Sequence, residues 1–349
     1  MNDLVNSPDY LAYKFNFDTE NLEFLPIERQ EIRRVSALKR EYIDPQRRLI
    51  AVPLSNLVTL LNSPNQPLLE NPPRFIFHTA FCASTFLSRC LDVDGVSVSL
   101  REPQLLLDAA NAKRLQWRSR TTGLDYHHLP KLALLLLQKH AGQNEKLVIK
   151  PINSVNNIIP ELMQVTGSTR SLLLYTDVKN FLLSTLRKGE GSKHTVRAMF
   201  DLIRCDFPHL ENLSLSAIIH MTDLNIILTL WRLQIEQAEQ ALQTFVPKKL
   251  MASLYGEKLI QNPLEALRAA NTFLKLDISN EKIEAIVKSN DRFTDAKNTA
   301  KQFSLEKRKE KYEELQKFYG SELDYGYQWM MNSNPATRLY PDLSGALKI

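Results

Sequence analysis

Five short, largely apolar runs constrain this chain more than any other feature, because each is followed by polar or small residues and then by a helical pattern. They are Arg74 to Thr79 (RFIFHT), Val96 to Leu100 (VSVSL), Leu147 to Lys150 (LVIK), Ser171 to Tyr175 (SLLLY) and Lys249 to Tyr255 (KLMASLY). Helical patterns fit Gln104 to Trp117, Leu129 to His140, Asn180 to Leu186, Asp223 to Phe245, Pro263 to Leu274 and Asn280 to Lys288. Strands separated by helices predict a mostly parallel central sheet covered on both faces. Only 10 glycines occur, too few for a barrel or sandwich with many tight turns. The expected fold is therefore α/β.

Residues 1–70 read as a polar, helix-prone extension, with Glu28 to Glu41 (ERQEIRRVSALKRE) as a solvated helix. The turn-rich stretches Asn62 to Pro67 and Asn71 to Pro73 mark a boundary. An α/β core over 71–290 follows, then a charged helical tail over 291–349 that packs on it. Lys307 to Lys311 forms a basic cluster in that tail. Acidic residues interrupt the cluster and aromatic partners are few, which argues against nucleic acid as a partner.

A chain of 349 residues with 44% hydrophobic and 24% charged residues has ample material for a globular core. The net charge of +5 suits an anionic ligand without demanding one. Cys82, Cys90 and Cys205 are widely spread, so neither a disulfide framework nor a metal site is indicated. The first residues lack the pattern of a signal peptide, and the longest apolar run, Leu132 to Leu137, is too short to span a bilayer. A reduced, cytoplasmic protein without a membrane partner is the expectation.

In open α/β sheets, ligands bind beyond the carboxyl ends of the strands. The segment Thr79 to Thr85 should lie there, leading into a helix through Phe86, Leu87, Cys90 and Leu91. Unpaired N–H groups at a helix start favour an anion. Ser84 and Thr85 add hydroxyl donors, and Ala80, Cys82 and Ala83 are small enough for close approach to the backbone. Ser84 or Thr85 would serve equally as a plain helix cap. No GxxxxGK[ST] pattern occurs, which argues against an ordinary magnesium-dependent nucleotide hydrolase.

FIFHTAFCASTFLSRCL resembles the 5′-phosphosulfate loop of sulfotransferases, commonly TPRSGTTLL after a strand. In that register Thr79, Cys82, Ala83, Ser84 and Thr85 fall on the loop's Thr, Ser, Gly, Thr and Thr. LREP at Leu100 and LVIKPINSVN at Leu147 resemble the family's next two strand ends. SLLLYTDVKNFLLSTLRKG resembles its 3′-phosphate segment, RDPRDVxxS, with Ser184 on the serine. GEKLIQNPLEALRAANTFLKL is similar to its YEDLxxxPxxxLxxxxxFLGL run at Glu257, Leu259, Pro263, Leu267, Phe273 and Leu274. The resemblance spans Arg74 to Leu276. Two positions depart from it: Phe81 replaces the loop's basic residue and Thr176 the arginine of the 3′-phosphate segment.

The resemblance implies a P-loop-like, three-layer fold. It also implies transfer of a sulfuryl group from 3′-phosphoadenosine 5′-phosphosulfate to a hydroxyl of a small molecule or saccharide, without a metal. Thr79, Cys82, Ala83, Ser84 and Thr85 would hold the 5′-phosphosulfate. Lys179, Ser184 and Arg187 would face the 3′-phosphate, with Lys179, Arg187 or Lys188 standing in for the missing basic residues. Lys150 would supply charge at the transferring group, and Glu102 the general base. Glu102 also fits an ion pair with Arg101 or a helix-start carboxylate, and Lys150 a solvated strand end. His78 reads as a strand residue, while His127 and His128 are reserve bases. Cys82 reads as a loop filler and Trp231 as core. Two rivals stay open: a degenerate nucleotide-binding module, and another P-loop transferase such as a small-molecule kinase.

Overall fold

The computed structural model describes residues 2–62, 69, 71–211, 213–289, 305–333 and 342–349. Its N-terminal unit is a three-stranded antiparallel sheet in spatial order, formed by β1 (Tyr10–Asn16), β2 (Asn21–Pro26) and β3 (Ile50–Pro53). This differs from the helix-prone reading of residues 1–70. Lys14, Asn16, Asn21 and Glu23 make the composition polar, whereas Leu11, Phe15, Leu22 and Phe24 are buried and join the main core. Period-two burial is therefore present but short.

The charged run Glu28 to Glu41 is likewise not a solvated helix. Only Arg29–Arg34 is α-helical, Arg40 and Glu41 fall in a 3-10 turn, and Arg33 reaches Asp92 and Glu145, so the segment is docked. Arg101 donates to the carbonyls of Ile32 and Arg33 at 2.8 and 2.7 Å, using groups that a longer helix would need for itself.

The central sheet is parallel, with β4 (Arg74–His78), β5 (Ser97–Arg101), β6 (Lys146–Lys150), β7 (Ser171–Tyr175) and β8 (Met251–Tyr255) in the order β5-β6-β4-β7-β8. Its side chains alternate between two cores. Phe75, Phe77, Leu147, Ile149 and Leu173 face the helices Gln104–Arg114, Leu129–Leu137, Ile159–Thr166, Val178–Lys188 and Asp223–Phe245. Ile76, Val148, Leu172, Leu174 and Leu254 face Ser84–Cys90, Pro263–Leu274 and Asn280–Ser289. The molecule thus has the expected α/β layering, with β4 at the centre.

Local signals explain the helix ends. Asp177 caps Val178–Lys188 by accepting from the Asn180 N–H, and Thr222 caps Asp223–Phe245 in the same way from Asn225. Gln104–Arg114 stops earlier than its pattern suggested, as Gln116 takes a left-handed φ of 48°. The boundary residues 63–68 and 70, and residues 291–304 and 334–341 of the tail, lie outside the described residues.

The helix Leu305–Ser333 lies against Asp223–Phe245 and Val178–Lys188. Gly326 packs closely there: a Cβ on it would lie 2.9 Å from a methyl group of Leu224. Beyond it, residues 342–349 run beside β8. The Ser253 N–H donates to Gly345, and the Leu347 N–H to Ser253, which covers the open edge of the sheet. No helix among the described residues is long and apolar enough to cross a membrane.

Candidate functional site

Because the five core strands are parallel, their carboxyl ends share one edge. In spatial order that edge carries Glu102, Lys150, His78 with Thr79, Thr176 with Asp177, and Gly256. Most of the residues singled out from the sequence therefore converge, although they are spread along the chain from His78 to Gly256.

The segment from Thr79 to the Ser84–Cys90 helix makes a sharp turn after the central strand. Phe81 and Ala83 both take left-handed conformations, at φ 61° and 63°. Such angles cost a residue with a Cβ free energy and persist where the surroundings impose them. Ala83 is the position that the resemblance places on the loop's glycine. Alternation of this kind turns successive N–H groups into one concavity, a form suited to an anion. Among the described residues, no acceptor meets the amides of Phe81, Cys82, Ala83 or Thr85.

The turn is braced from behind. The Thr79 N–H donates to Leu174 at 2.9 Å, and the Ala80 N–H to Gln234 Oε1 at 2.8 Å. Gln234 Oε1 also accepts from Asn153 at 2.8 Å, and Asn156 donates to the His78 carbonyl at 3.1 Å. The small polar residues after β6 thus act as struts. On the far side, the Cys82 carbonyl lies against Gly256, where a Cβ would approach it to 2.5 Å.

Cys82 is buried and donates to the Thr79 carbonyl at 3.0 Å. Burial pushes its thiol up to about 11, so it is a protonated filler of the turn rather than a nucleophile. His78 is buried, with Nδ1 2.7 Å from the Thr79 carbonyl and Nε2 3.0 Å from that of Pro151. Burial and the Lys150 ammonium push it down to about 3, which keeps the ring neutral. His128 sits away from this edge in an exposed contact with Asp125, and His127 packs on Tyr126.

Glu102 does not pair with Arg101. Arg101 instead meets Asp92 at 3.0 Å, both of them buried. Glu102 Oε1 accepts from Lys150 at 2.8 Å, and Oε2 lies 3.2 Å from Lys39. Burial opposes its charged form, but the two ammonium groups outweigh burial and hold the carboxyl at about 2. Lys150, with a side chain 1% exposed, is no solvated strand end.

The helix after β7 brings a different basic residue to the loop than the ones named first. Lys188 Nζ stands 4.7 Å from the centre of the Phe81 ring, which also packs edge-on against Phe181 at 5.2 Å. Arg187 is exposed and Lys179 half-buried on the same helix. Ser184 Oγ is 2.5 Å from the Tyr312 hydroxyl of the tail helix. One turn earlier, Arg308 holds Glu257 with two bonds at 2.8 and 2.5 Å. Thr176 is fully buried, and its hydroxyl has no hydrogen-bond partner among the described residues. Trp231, a core residue, donates to the Thr176 carbonyl at 2.9 Å.

A cavity of about 300 Å³ opens at the same edge, lined by Tyr175, Asp177, Tyr255, Lys258 and Asp342 among others, and the loop residues do not line it. Among the described residues, no group of three or more His, Cys, Asp or Glu side chains is placed to hold a metal ion. Lys39, Lys188, Gln234 and Tyr312 are members of this edge that sequence reasoning missed or named only in passing. None carries a local motif, and each arrives from an element remote in sequence.

No family model matches this sequence. No curated protein matches it. Among the solved structures that resemble it in fold are two sulfotransferases. One is a sulfotransferase, STF9, from Mycobacterium avium, with 11% identity over 76% of this chain and 81% of that one, at a TM-score of 0.39. The other is a sulfotransferase from Alicyclobacillus acidocaldarius, with 12% identity over 75% of this chain and 96% of that one, at a TM-score of 0.37.

Proposed function

We propose that this chain is a sulfotransferase-like enzyme that moves a sulfuryl group from 3′-phosphoadenosine 5′-phosphosulfate to a hydroxyl of a small molecule or saccharide. The observation that carries the reading is the Thr79 to Thr85 turn, with its open amides at the carboxyl end of the central strand. The orphaned Thr176 hydroxyl is a second point of fit, since a buried polar group without a partner is costly unless a ligand meets it.

In this reading the cofactor supplies an activated sulfuryl group. The amides of Phe81, Cys82, Ala83 and Thr85 and the hydroxyls of Ser84 and Thr85 would hold its 5′-phosphosulfate oxygens. Lys150, with Lys188 over Phe81, provides the positive charge, and fixed donors of this kind stabilise charge without reorganising. Lys179, Ser184 and Arg187 face the 3′-phosphate, and Thr79, Cys82 and Ala83 shape the turn. Glu102 takes the acceptor's proton. A carboxylate held at about 2 is a weak base, so an entering oxyanion that draws Lys150 toward itself would raise its proton affinity.

A second reading, a catalytically degenerate nucleotide-binding module, is favoured by the contacts Ser184–Tyr312 and Arg308–Glu257. These engage, within the protein, groups that would otherwise meet a phosphate. Melting temperatures with 3′,5′-bisphosphoadenosine, with ATP and magnesium, and with sulfate separate the readings, because a ligand of the native state stabilises it. Stabilisation by bisphosphoadenosine that Lys150→Met removes supports the enzyme. A shift with ATP and magnesium alone supports a kinase, and no response at millimolar ligand leaves the degenerate module.

A further inference from the structure

The N-terminal unit brings a lysine, Lys39, to the reaction edge. The course of residues 32–38 is set by β5 and its neighbours more than by the antiparallel sheet. Arg101 donates to the carbonyls of Ile32, Arg33 and Val35 at 2.8, 2.7 and 3.0 Å. The Leu38 N–H returns a bond to the Arg101 carbonyl at 2.7 Å, and Arg89 reaches Ser36 Oγ at 2.9 Å. This clamp carries the next residue, Lys39, to Glu102.

Glu102 is itself held in a costly conformation, at φ 53°, with its N–H on the Lys150 carbonyl at 2.7 Å. Its two carboxylate oxygens are divided between two ammonium groups, Lys150 on Oε1 and Lys39 on Oε2. Lys150 comes from the core sheet and Lys39 from outside it. We propose that Lys39 is a positioning residue, which fixes the Glu102 carboxylate against Lys150 so that the N-terminal unit completes the reaction edge. The inference rests on the reading of Glu102 as the group that takes the acceptor's proton.

The groups facing Glu102 from the elements around it are Lys150 on β6, Lys39 on the clamped segment, neutral His78 on β4 and Tyr42 on the turn after Lys39. Of these, only Lys39 is both charged and substantially solvated, at 31% side-chain exposure. It is therefore the partner that can be replaced without opening the core.

The test is a pH titration of the Glu102 carboxyl carbon resonance in the full-length, carbon-13 glutamate-labelled protein. The resonance is identified by its disappearance in Glu102→Gln. Removal of an opposite charge at this range raises a carboxyl pKa by about 1–3 units. The Lys39→Met resonance should therefore begin to shift at a pH about one unit or more above the wild type, and Lys39→Arg should restore the wild-type curve. Lys39→Gln serves if the methionine variant folds poorly. An unchanged curve in both neutral variants overturns the inference. Turnover separates this from the underlying reading, since an active Glu102→Gln removes Glu102 as the base whatever the titration shows. With Glu102→Gln inactive, the acid limb of the pH–rate profile should move with Lys39→Met by the same amount.

Discussion

The carbonyl oxygen of Cys82 passes so close to Gly256 that a methyl group there would lie 2.5 Å from it. Two stretches of chain more than 170 positions apart thus meet backbone to backbone, and the shape of the Thr79 to Thr85 turn depends on the glycine that follows β8. Backbone cannot give way as a flexible side chain does. Gly256→Ala should cost about 1–3 kcal/mol, as overpacking does, and should weaken stabilisation by bisphosphoadenosine beyond that loss. Melting curves with and without the ligand check this, and unchanged ligand stabilisation would detach Gly256 from the turn.

Gln234 is the strut behind the same turn, accepting from both Ala80 and Asn153. In Gln234→Leu the Ala80 N–H is left buried without its acceptor, at a cost of about 1–3 kcal/mol, and the Asn153 amide keeps only the weaker acceptor Met199 Sδ at 3.4 Å. Urea denaturation should show a lower midpoint with an unchanged slope, and a midpoint equal to that of the wild type would mean that water or another group takes over.

Asp108 joins the N-terminal sheet to the core, accepting from the Phe15 N–H at 2.9 Å and from Gln104 at 2.7 Å. Burial raises its carboxyl from 3.8 to about 6, against the opposing hydrogen bonds. The folded value lies above the unfolded one. The stabilisation is therefore full below about pH 4 and is lost as pH rises through about 6. Relative to Asp108→Asn, which cannot titrate, the wild type should gain about 2–3 kcal/mol between pH 7 and pH 4. The buried histidines titrate in both proteins and cancel. A difference that does not change with pH would show that Asp108 ionises normally.

The thiols should divide sharply. Cys82 and Cys90 are buried and Cys205 is exposed. A thiol reagent at neutral pH should label one cysteine rapidly in the native protein and all three after denaturation, and Cys205→Ser should abolish the rapid phase. Rapid labelling of Cys82 would contradict its burial and its thiol near 11.

Arg101 and Glu102 are adjacent yet belong to different systems, which the string LREP does not show. The Arg101 side chain turns back to Asp92 and the Arg29–Arg34 helix, whereas Glu102 turns to the edge. Breaking the buried pair with Arg101→Met should cost about 3–5 kcal/mol. A loss well under 1 kcal/mol by denaturant titration would mean that Arg33, which also meets Asp92, is enough to hold its carboxylate.

The strands were legible because each is a run of apolar residues whose length and boundaries are local properties. Ser171 to Tyr175 and the helices Asp223–Phe245 and Pro263–Leu274 occupy the very spans their patterns mark. The antiparallel sheet escaped notice because polar residues such as Lys14, Asn21 and Glu23 interrupt the apolar pattern of its first two strands. The helix Glu190–Ile203 was missed because its weakly apolar stretch begins straight after the previous helix, with Gly189 alone between them.

The amino-acid order by itself determined the α/β alternation, the strand at Arg74 to Thr79 and the small-residue turn that follows it, since these depend on neighbours within a few positions. Tertiary structure alone decided that Lys39 and Lys150 share Glu102, that Lys188 stands over Phe81 and that Gln234 braces Ala80. Those pairings follow from strand order and crossover direction, which bring distant side chains to one edge through the packing of the whole core.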